Sequence, residues 1–207
     1  MVTGPGIGEH PQSIVDSYDD CAFESCPQEP RHPWATGLTD ENLGNREALK
    51  GYFAAVTAMD QNVGRLLDGL ELHGLRDRTL VVFLSDNGFS CGHHGFWGKG
   101  NGTAPRNMYE NSIKVPAIFS HPGRIPEGRV EGAMVSAYDV MPTLLDYLGL
   151  PVPEGRNLPG ESLLPILEGR SSEGRKHVVV YDEYGPVRMV RMSYTTWSMT
   201  PRSATTW

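Results

Sequence analysis

The chain has 207 residues, which is enough for one domain with a hydrophobic core. Its formal net charge of −7, with 39% hydrophobic and 21% charged residues, argues against nucleic-acid binding, which needs a basic surface. No apolar run approaches the length of a membrane span, residues 1–10 lack the apolar core of a signal peptide, and three cysteines do not make a disulfide framework.

The first third of the chain combines an irregular segment with one long helix. Residues 1–33 are rich in proline and have no apolar periodicity, so we predict no helix or strand there. A helix is predicted from Thr39 to Gly74, with Thr39 as its N-cap and Gly74 as its left-handed end. Glycines within its first half weaken the start of this helix. Its apolar stripe consists of Leu49, Phe53, Val56, Met59, Val63, Leu66, Leu67 and Leu70.

The rest of the chain alternates apolar runs with turn signals, as an α/β protein does. Asp139 is predicted to cap a helix that ends at Leu148, because Gly149 follows. Residues 193–207 are rich in Ser and Thr and have no apolar periodicity, so we predict no regular element there. The predicted strands are Leu80–Leu84, Val115–Ser120, Val130–Val135 and His177–Tyr181.

The run Leu80–Leu84 ends on the polar sequence Ser85-Asp86-Asn87-Gly88. In open α/β sheets, ligands bind beyond the carboxyl ends of the strands. The neighbouring oxygens of Asp86 and Asn87 are ligands that suit a hard divalent cation such as Ca²⁺. The alternative is that both residues serve only the turn, which is a common use of Asp and Asn before Gly.

A glycine-rich loop after the strand carries His93, His94 and Lys99. The glycines around Lys99 would let the backbone approach a small anion closely, although a lysine in such a loop is usually solvated. Histidines like His94 are more often structural hydrogen-bonding groups than catalysts. A zinc site is disfavoured because adjacent histidines on a loop rarely converge on one ion and no second Cys/His cluster fits.

These motifs together resemble the formylglycine-dependent sulfatase family of the alkaline-phosphatase superfamily, in the C-terminal part of its catalytic domain. The resemblance implies an α/β fold: part of an alkaline-phosphatase-like three-layer sandwich, with a mainly parallel central sheet flanked by helices. It implies a substrate-side loop region at 1–45, the later half of the catalytic domain at 46–170, and the start of a C-terminal subdomain with an aberrant or truncated tail at 171–207. The matching stretches are Ser85–Gly88, Gly92–Gly95, Trp97–Gly100, Tyr109–Pro116 and Asp139–Leu145.

The resemblance also implies roles for individual residues. Asp86 and Asn87 correspond to the calcium ligands, and Lys99 and His94 to catalytic residues that contact the sulfate. His32 and Asn101 are substrate-binding candidates, and Arg106 and Asn107 could line the same pocket. The family's formylglycine forms in a Cys-x-Pro-x-Arg or Ser-x-Pro-x-Arg motif. The segments around the cysteines do not fit it, so we expect the motif to lie upstream and to be absent from this chain.

The function implied is hydrolysis of a sulfate ester in a sulfated small molecule or sulfated glycan. We expect the isolated chain to be inactive and to bind Ca²⁺ weakly, because the missing N-terminal half of the domain would supply the nucleophile and further metal ligands. One alternative is a phosphonate monoester or phosphodiester hydrolase of the same superfamily, whose members usually have His where this chain has Asn87. Another is an inactive fragment or pseudoenzyme. No membrane or nucleic-acid partner is expected.

Overall fold

The computed structural model describes residues 11–182 and 185–192, which form two compact units. Of these residues, the first unit comprises 11–127, 181–182 and 185–187, and the second comprises 128–180 and 188–192. The family-based boundaries at residues 45 and 170 stay a prediction, and the predicted irregular tail at 193–207 lies outside the described residues.

The helices are α1 (Gln12–Asp16), α2 (Leu38–Asn42), α3 (Arg46–Leu72), α4 (Glu110–Ile113), α5 (Val140–Leu148) and α6 (Leu164–Leu167). The strands are β1 (Val81–Leu84), β2 (Ser90–Cys91), β3 (Trp97–Gly98), β4 (Ala117–Ser120), β5 (His177–Tyr181) and β6 (Arg188–Met192).

The long predicted helix is interrupted near its start, so the prediction of one helix from Thr39 is wrong. Leu43 is extended and Gly44 has a φ of +75°, which ends α2. Asn45 then caps α3, because its side-chain oxygen accepts hydrogen bonds from the backbone N–H groups of Glu47 and Ala48 at 3.0 and 3.3 Å. The predicted end is confirmed, since α3 stops at Leu72 and the left-handed Gly74 follows it.

The segment before α2 is not wholly irregular, because α1 forms within the stretch predicted to lack helix and strand. Ile14 and Val15 of α1 are buried against Ala54 of α3. Burial of these apolar side chains stabilises a helix too short to persist alone. A second cluster joins the chain before α2 to the loop after β1; its buried members are Phe23, Leu49, Cys91 and Trp97.

Strand β1 pairs with β4 in the antiparallel sense, with Val81 opposite Ser120 and Leu84 opposite Ala117. Strands β2 and β3 are also antiparallel. The mainly parallel sheet implied by the family is therefore not formed by these two pairs. The physical reason is the connection between β1 and β4. Residues 85–116 lead from the end of β1 to the start of β4 without the long crossover helix that a parallel neighbour requires.

In the second unit, Asp139 does not cap α5 with its side chain as predicted. Its fully buried carboxylate instead accepts hydrogen bonds from Arg175 and from the backbone N–H groups of Ser136 and Glu161. The predicted end of α5 is confirmed at Leu148, where Gly149 has a φ of +66°. Strand β5 forms at the predicted residues, whereas Val130–Val135 forms no strand. Among the described residues, no helix has the length and apolar character needed to cross a bilayer.

Candidate functional site

The carboxyl end of β1 opens into the segment that carries Asp86 and Asn87. Asp86 is exposed and Asn87 is half-buried. The turn is fixed by Gly88, whose N–H donates to the backbone oxygen of Ser112 at 3.1 Å. A Cβ at Gly88 would lie 2.1 Å from the backbone oxygen of Asn111, so only glycine permits this close approach. The local sequence therefore holds both oxygen-bearing side chains at the strand end.

The glycine-rich loop folds into a short hairpin made of β2 and β3. The hydroxyl of Ser90 donates to the backbone oxygen of His93 at 2.7 Å. The N–H of Trp97 donates to the buried hydroxyl of Thr39 at 3.0 Å, which anchors the hairpin to α2. A Cβ at Gly95 would lie 1.8 Å from the backbone oxygen of Pro30, so glycine is needed here too. The hairpin thereby returns the chain toward the end of β1.

Lys99 meets Asn87 directly. Its ammonium group donates a hydrogen bond of 2.5 Å to the Asn87 amide oxygen. The Asn87 amide nitrogen donates to the backbone oxygen of Gly88 at 3.0 Å, which orients the amide so that its oxygen faces the lysine. Asn87, which was predicted to bind a cation, and Lys99, which was predicted to bind an anion, are thus in contact.

Asn107 holds the backbone of Lys99 in place. Its side-chain nitrogen lies 3.2 Å from the backbone oxygen of Lys99 and 3.3 Å from that of Gly100. Its side-chain oxygen accepts a 2.6 Å hydrogen bond from the hydroxyl of Ser112. The side chain expected to line a substrate pocket is therefore largely engaged in positioning the loop.

His94 and His32 both contact Tyr109. The His94 ring stacks on the Tyr109 ring with centroids 4.0 Å apart and planes inclined by 14°. The His32 Nε2 lies 3.3 Å from the Tyr109 hydroxyl. His94 has a φ of +58°, a conformation that non-glycine residues rarely adopt. Sequence reasoning did not single out Tyr109, and its only signal was its place in the matching stretch Tyr109–Pro116.

His93 behaves differently from its neighbour. Its Nδ1 atom is buried and has no hydrogen-bond partner among the described residues. Burial, and then the nearby charge of His94, lower the pKa of His93. We therefore expect this imidazole to be neutral at pH 7.

A groove of about 310 Å³ borders this aromatic cluster and is lined by His32, Trp34, Thr103, Pro105, Arg106, Asn107, Met108 and Tyr109. Asn101 lines a neighbouring groove instead, together with Thr36 and Asp182. Arg106 borders both grooves, and its guanidinium lies 3.3 Å from the Asp182 carboxylate. Two of the pocket candidates, Asn101 and His32, are therefore on different grooves.

The ligand atoms at this site are of the type that Ca²⁺ prefers, but there are too few of them for a complete calcium site. Asp86 and Asn87 offer the hard oxygen atoms that Ca²⁺ prefers, and Ca²⁺ takes about six to eight such ligands. Within residues 11–182 and 185–192, no group of three or more His, Cys, Asp or Glu side chains could hold a metal ion. The described chain therefore fits one part of a calcium shell.

The expectation that the nucleophile pattern is absent is wrong as a statement about the sequence, because Ser120-His121-Pro122-Gly123-Arg124 spells Ser-x-Pro-x-Arg. Ser120 pairs with Val81 at the beginning of β1, about 10 Å of strand away from the Leu84 end that leads to Asp86. Its hydroxyl accepts a 2.5 Å hydrogen bond from Arg76. This segment is thus a turn at the opposite end of the β1–β4 pair.

Comparison with known sequences identifies related proteins. A family model described as Sulfatase matches residues 7–150. An N-acetylglucosamine-6-O-sulfatase of Bacteroides thetaiotaomicron is 36% identical over 188 residues, which cover 89% of this chain and 32% of that protein. An arylsulfatase of Clostridium perfringens is 31% identical over 185 residues, which cover 81% of this chain and 36% of that protein. The chain thus spans about a third of the length of these curated relatives.

Solved structures show the same relationship. A structure in complex with its substrate D-glucosamine-2-N,6-O-disulfate is 34% identical, with a TM-score of 0.61 over 71% of this chain and 30% of that chain. A second structure, from work on glycosaminoglycan metabolism by Bacteroides thetaiotaomicron, has a TM-score of 0.69 at 24% identity, over 93% of this chain and 40% of that chain, and shows the fold alone. The expected fold class, a partial alkaline-phosphatase-like α/β domain, is confirmed.

Proposed function

The chain belongs to the sulfatase family, and from this premise we propose that it carries the calcium-binding and sulfate-binding side of a site that hydrolyses sulfuric esters. Asp86 and Asn87 hold the calcium ion, and Lys99 binds the sulfate with support from His94. The observation that carries this assignment is the 2.5 Å contact between the Lys99 ammonium and the Asn87 amide oxygen. A cation on that oxygen and an anion on that ammonium would occupy one pocket.

The chemistry of the pocket follows from these charges. When bound, calcium polarises the sulfate oxygens and stabilises charge that develops during ester cleavage. Lys99 adds a positive charge whose position is fixed by Asn107 and by the glycines on either side of it. His94 is held by its stack on Tyr109, and His32 lies against the hydroxyl of the same tyrosine. We propose that these imidazoles, together with Asn101 on the neighbouring groove, contact the substrate.

The nucleophile comes from outside this 207-residue sequence in our proposal. Ser120 is a poor candidate, because it pairs with Val81 at the start of β1, whereas the metal candidates lie beyond the end of β1. Apolar side chains of the β1–β4 pair are exposed, with 39% of Leu84 and 56% of Ile118 accessible to solvent. These exposures support a larger domain in which further elements cover the pair. The remaining acidic calcium ligands and the formylglycine would come from these further elements.

Calorimetry on the 207-residue chain tests the metal assignment. We expect weak Ca²⁺ binding, with a dissociation constant of roughly 10⁻⁴–10⁻³ M as in sites with few charged ligands. Asp86→Asn and Asn87→Ala should abolish it, whereas Glu168→Gln in the second unit should leave it unchanged. Tight stoichiometric binding, or binding that survives both site variants, would contradict the assignment.

Turnover measurements test the catalytic part. The chain alone should hydrolyse no aryl sulfate, and mass spectrometry should show an unmodified serine at Ser120. Robust turnover by the isolated chain that is lost in Ser120→Ala would overturn our placement of the nucleophile.

Hydrolysis assays of the full-length protein distinguish the sulfatase from its two alternatives. Hydrolysis of aryl sulfate in preference to aryl phosphonate supports the sulfatase, and the reverse preference supports a phosphonate monoester or phosphodiester hydrolase. Asn87, and the names of the two curated relatives described above, both of which are sulfatases, favour the first. Sulfate binding without any turnover would indicate an inactive pseudoenzyme.

A further inference from the structure

All three cysteines of the chain are gathered around one small core. Cys91 is 2% exposed and belongs to the buried cluster, and Cys21 and Cys26 pack against that cluster from its edge. Cys26 thus packs against the same buried cluster that contains Cys91. We propose that Cys26 and Cys91 form a reversible disulfide by exchange with a low-molecular-weight disulfide such as oxidised glutathione.

The backbone around the two cysteines is already aligned for such a bond. The side-chain nitrogen of Gln28 donates to the backbone oxygens of both Cys26 and Cys91, at 2.8 and 2.7 Å. The N–H of Glu29 donates to the oxygen of Gly92 at 3.2 Å. A disulfide needs the two Cβ atoms about 3.8 Å apart, and segments held this closely need little movement to reach that geometry.

The two thiols are suited to different steps. Interaction with the neighbouring Cys91 thiol lowers the pKa of Cys26 to about 7, so that a large share of Cys26 is thiolate at neutral pH. The same contact, and then burial, raise the pKa of Cys91. Cys26 is half-buried and can be reached by a small disulfide, whereas Cys91 is enclosed. Cys26 is therefore the attacking residue and Cys91 the resolving one.

The exchange balances as two thiol–disulfide steps. The Cys26 thiolate attacks one sulfur of oxidised glutathione; the bond between Cys26 and glutathione forms, the glutathione S–S bond breaks, and the released thiolate takes a proton from water. Cys26 then no longer carries the negative charge that opposed ionisation of Cys91. Cys91 gives its proton to solvent and attacks the Cys26 sulfur, which releases the second glutathione as a thiol. Two protein thiols are oxidised, and one oxidised glutathione becomes two reduced molecules.

The bond would connect two parts of the candidate site. Cys26 lies in the segment that leads to His32, and Cys91 ends the first strand of the hairpin that leads to His94 and Lys99. The N–H of His32 already donates to the backbone oxygen of Gly95 at 2.7 Å, so oxidation would cross-link two segments whose backbones are already hydrogen-bonded. A cross-link between residues 26 and 91 restricts the unfolded chain and should raise the melting temperature of the oxidised form.

The test is covalent and does not depend on calcium, sulfate or turnover, so its failure is distinct from failure of the proposed function. The full chain is equilibrated with mixtures of reduced and oxidised glutathione, blocked with an alkylating reagent and cleaved after Glu. Cleavage after Glu24 separates Cys21 from Cys26, so the linked peptides identify the pair. Because Pro30 blocks cleavage after Glu29, we expect residues 25–41 to be linked to the peptide that contains Cys91, with Cys21 left as the one free thiol.

Matched variants sharpen the result. Cys21→Ser should form the same link, Cys26→Ser should form none, and Cys91→Ser should stop with one glutathione on Cys26. If Cys91→Ser does not fold, Cys26→Ser still decides the matter, because its Cys91 should stay a free thiol. Three free thiols in the wild-type chain at every glutathione ratio, or a link that involves Cys21, would overturn the disulfide.

Discussion

The Lys99 ammonium and the Asn87 amide oxygen are joined by a 2.5 Å hydrogen bond. This contact unites the end of β1 with the glycine-rich hairpin, which are the two parts of the chain whose residue types suit a cation and an oxyanion. Under our proposal the amide oxygen that binds calcium also faces a lysine, so calcium and lysine would compete for it in the absence of an anion.

This competition predicts the effect of neutralising Lys99. Lys99→Gln removes a positive charge beside the metal candidates, so the affinity for Ca²⁺ in the absence of sulfate should rise by roughly threefold to tenfold. Calorimetric titration of both proteins at equal ionic strength measures the change. Lys176→Gln, in the second unit, is the control for loss of one positive charge and should leave the affinity unaltered. A lower affinity in Lys99→Gln would mean that the lysine supports the metal rather than opposing it.

Asn107 should be needed for the stability of the Lys99 loop. Asn107→Asp replaces the amide nitrogen, which faces the backbone oxygens of Lys99 and Gly100, by a second oxygen. We expect the free energy of unfolding to fall by about 1–3 kcal/mol, because two acceptors lose a donor and gain a repulsive neighbour. Urea denaturation followed by tryptophan fluorescence measures this.

The matched control is Asn101→Asp, which makes the same chemical change at an exposed position six residues earlier in the same loop. It should alter the free energy of unfolding by less than about 0.5 kcal/mol. Equal effects of the two substitutions would contradict the positioning role of Asn107.

Tyr109 should set the environment of both site histidines. In Tyr109→Ala the His94 ring loses the aromatic face 4.0 Å away, so its ring-proton resonances should move downfield as the ring-current shift disappears. Tyr109→Phe keeps that face and should change the His32 resonances instead, because only the hydroxyl contact at 3.3 Å is lost. NMR spectra of the imidazole protons distinguish the two variants. Tyr138→Ala, at an exposed tyrosine, is the control, and unchanged His94 signals in Tyr109→Ala would exclude the stack.

The buried pair of Asp139 and Arg175 should make the second unit acid-sensitive. Burial raises the pKa of Asp139, but the hydrogen bonds from Arg175 and from the N–H groups of Glu161 and Ser136 outweigh it, so the pKa lies below its ordinary value. Because the folded pKa is below the unfolded value of about 3.9, this stabilisation is complete above the unfolded pKa and is lost as pH falls through the folded one. Asp139→Asn should lower the free energy of unfolding by about 3–5 kcal/mol at neutral pH, since Arg175 is left without its partner.

Urea denaturation from neutral pH down to below about pH 4 checks this, and the difference between wild type and Asp139→Asn should shrink as the acid side is reached. Glu168→Gln is the control, because it breaks a surface pair with Arg170, whose side chain is 60% exposed, and should cost less than about 1 kcal/mol. A difference that stays constant across the whole pH range would contradict the account of Asp139.

Local pattern predicted the parts of the site that lie within one short stretch. The apolar run that ends before Asp86 and Asn87 indicated a strand that opens into a polar turn. The family resemblance then predicted that Lys99, in the glycine-rich loop, contributes to the same site. The break between α2 and α3 was harder to predict, because it depends on Asn45 accepting two N–H groups that an unbroken helix would bond internally. Apolar periodicity is insensitive to such a cap.

Contacts between distant loops could not be predicted. Tyr109 meets His32 across 77 positions of sequence, and the approach depends on how two irregular segments pack. The same holds for Cys26 and Cys91, which no spacing rule pairs. The antiparallel sense of β1 and β4 was missed because strand direction depends on the connection between them, whereas apolar content is the same in either sense.

Calcium titrations with and without sulfate test the shared pocket most directly, with chloride replacing sulfate at equal ionic strength. If the cation and the anion lie side by side between Asn87 and Lys99, sulfate should raise the affinity of the chain for Ca²⁺ by about fivefold or more, and Lys99→Gln should abolish that coupling. A calcium affinity that is the same in sulfate and in chloride, or coupling that survives in Lys99→Gln, would contradict the shared site.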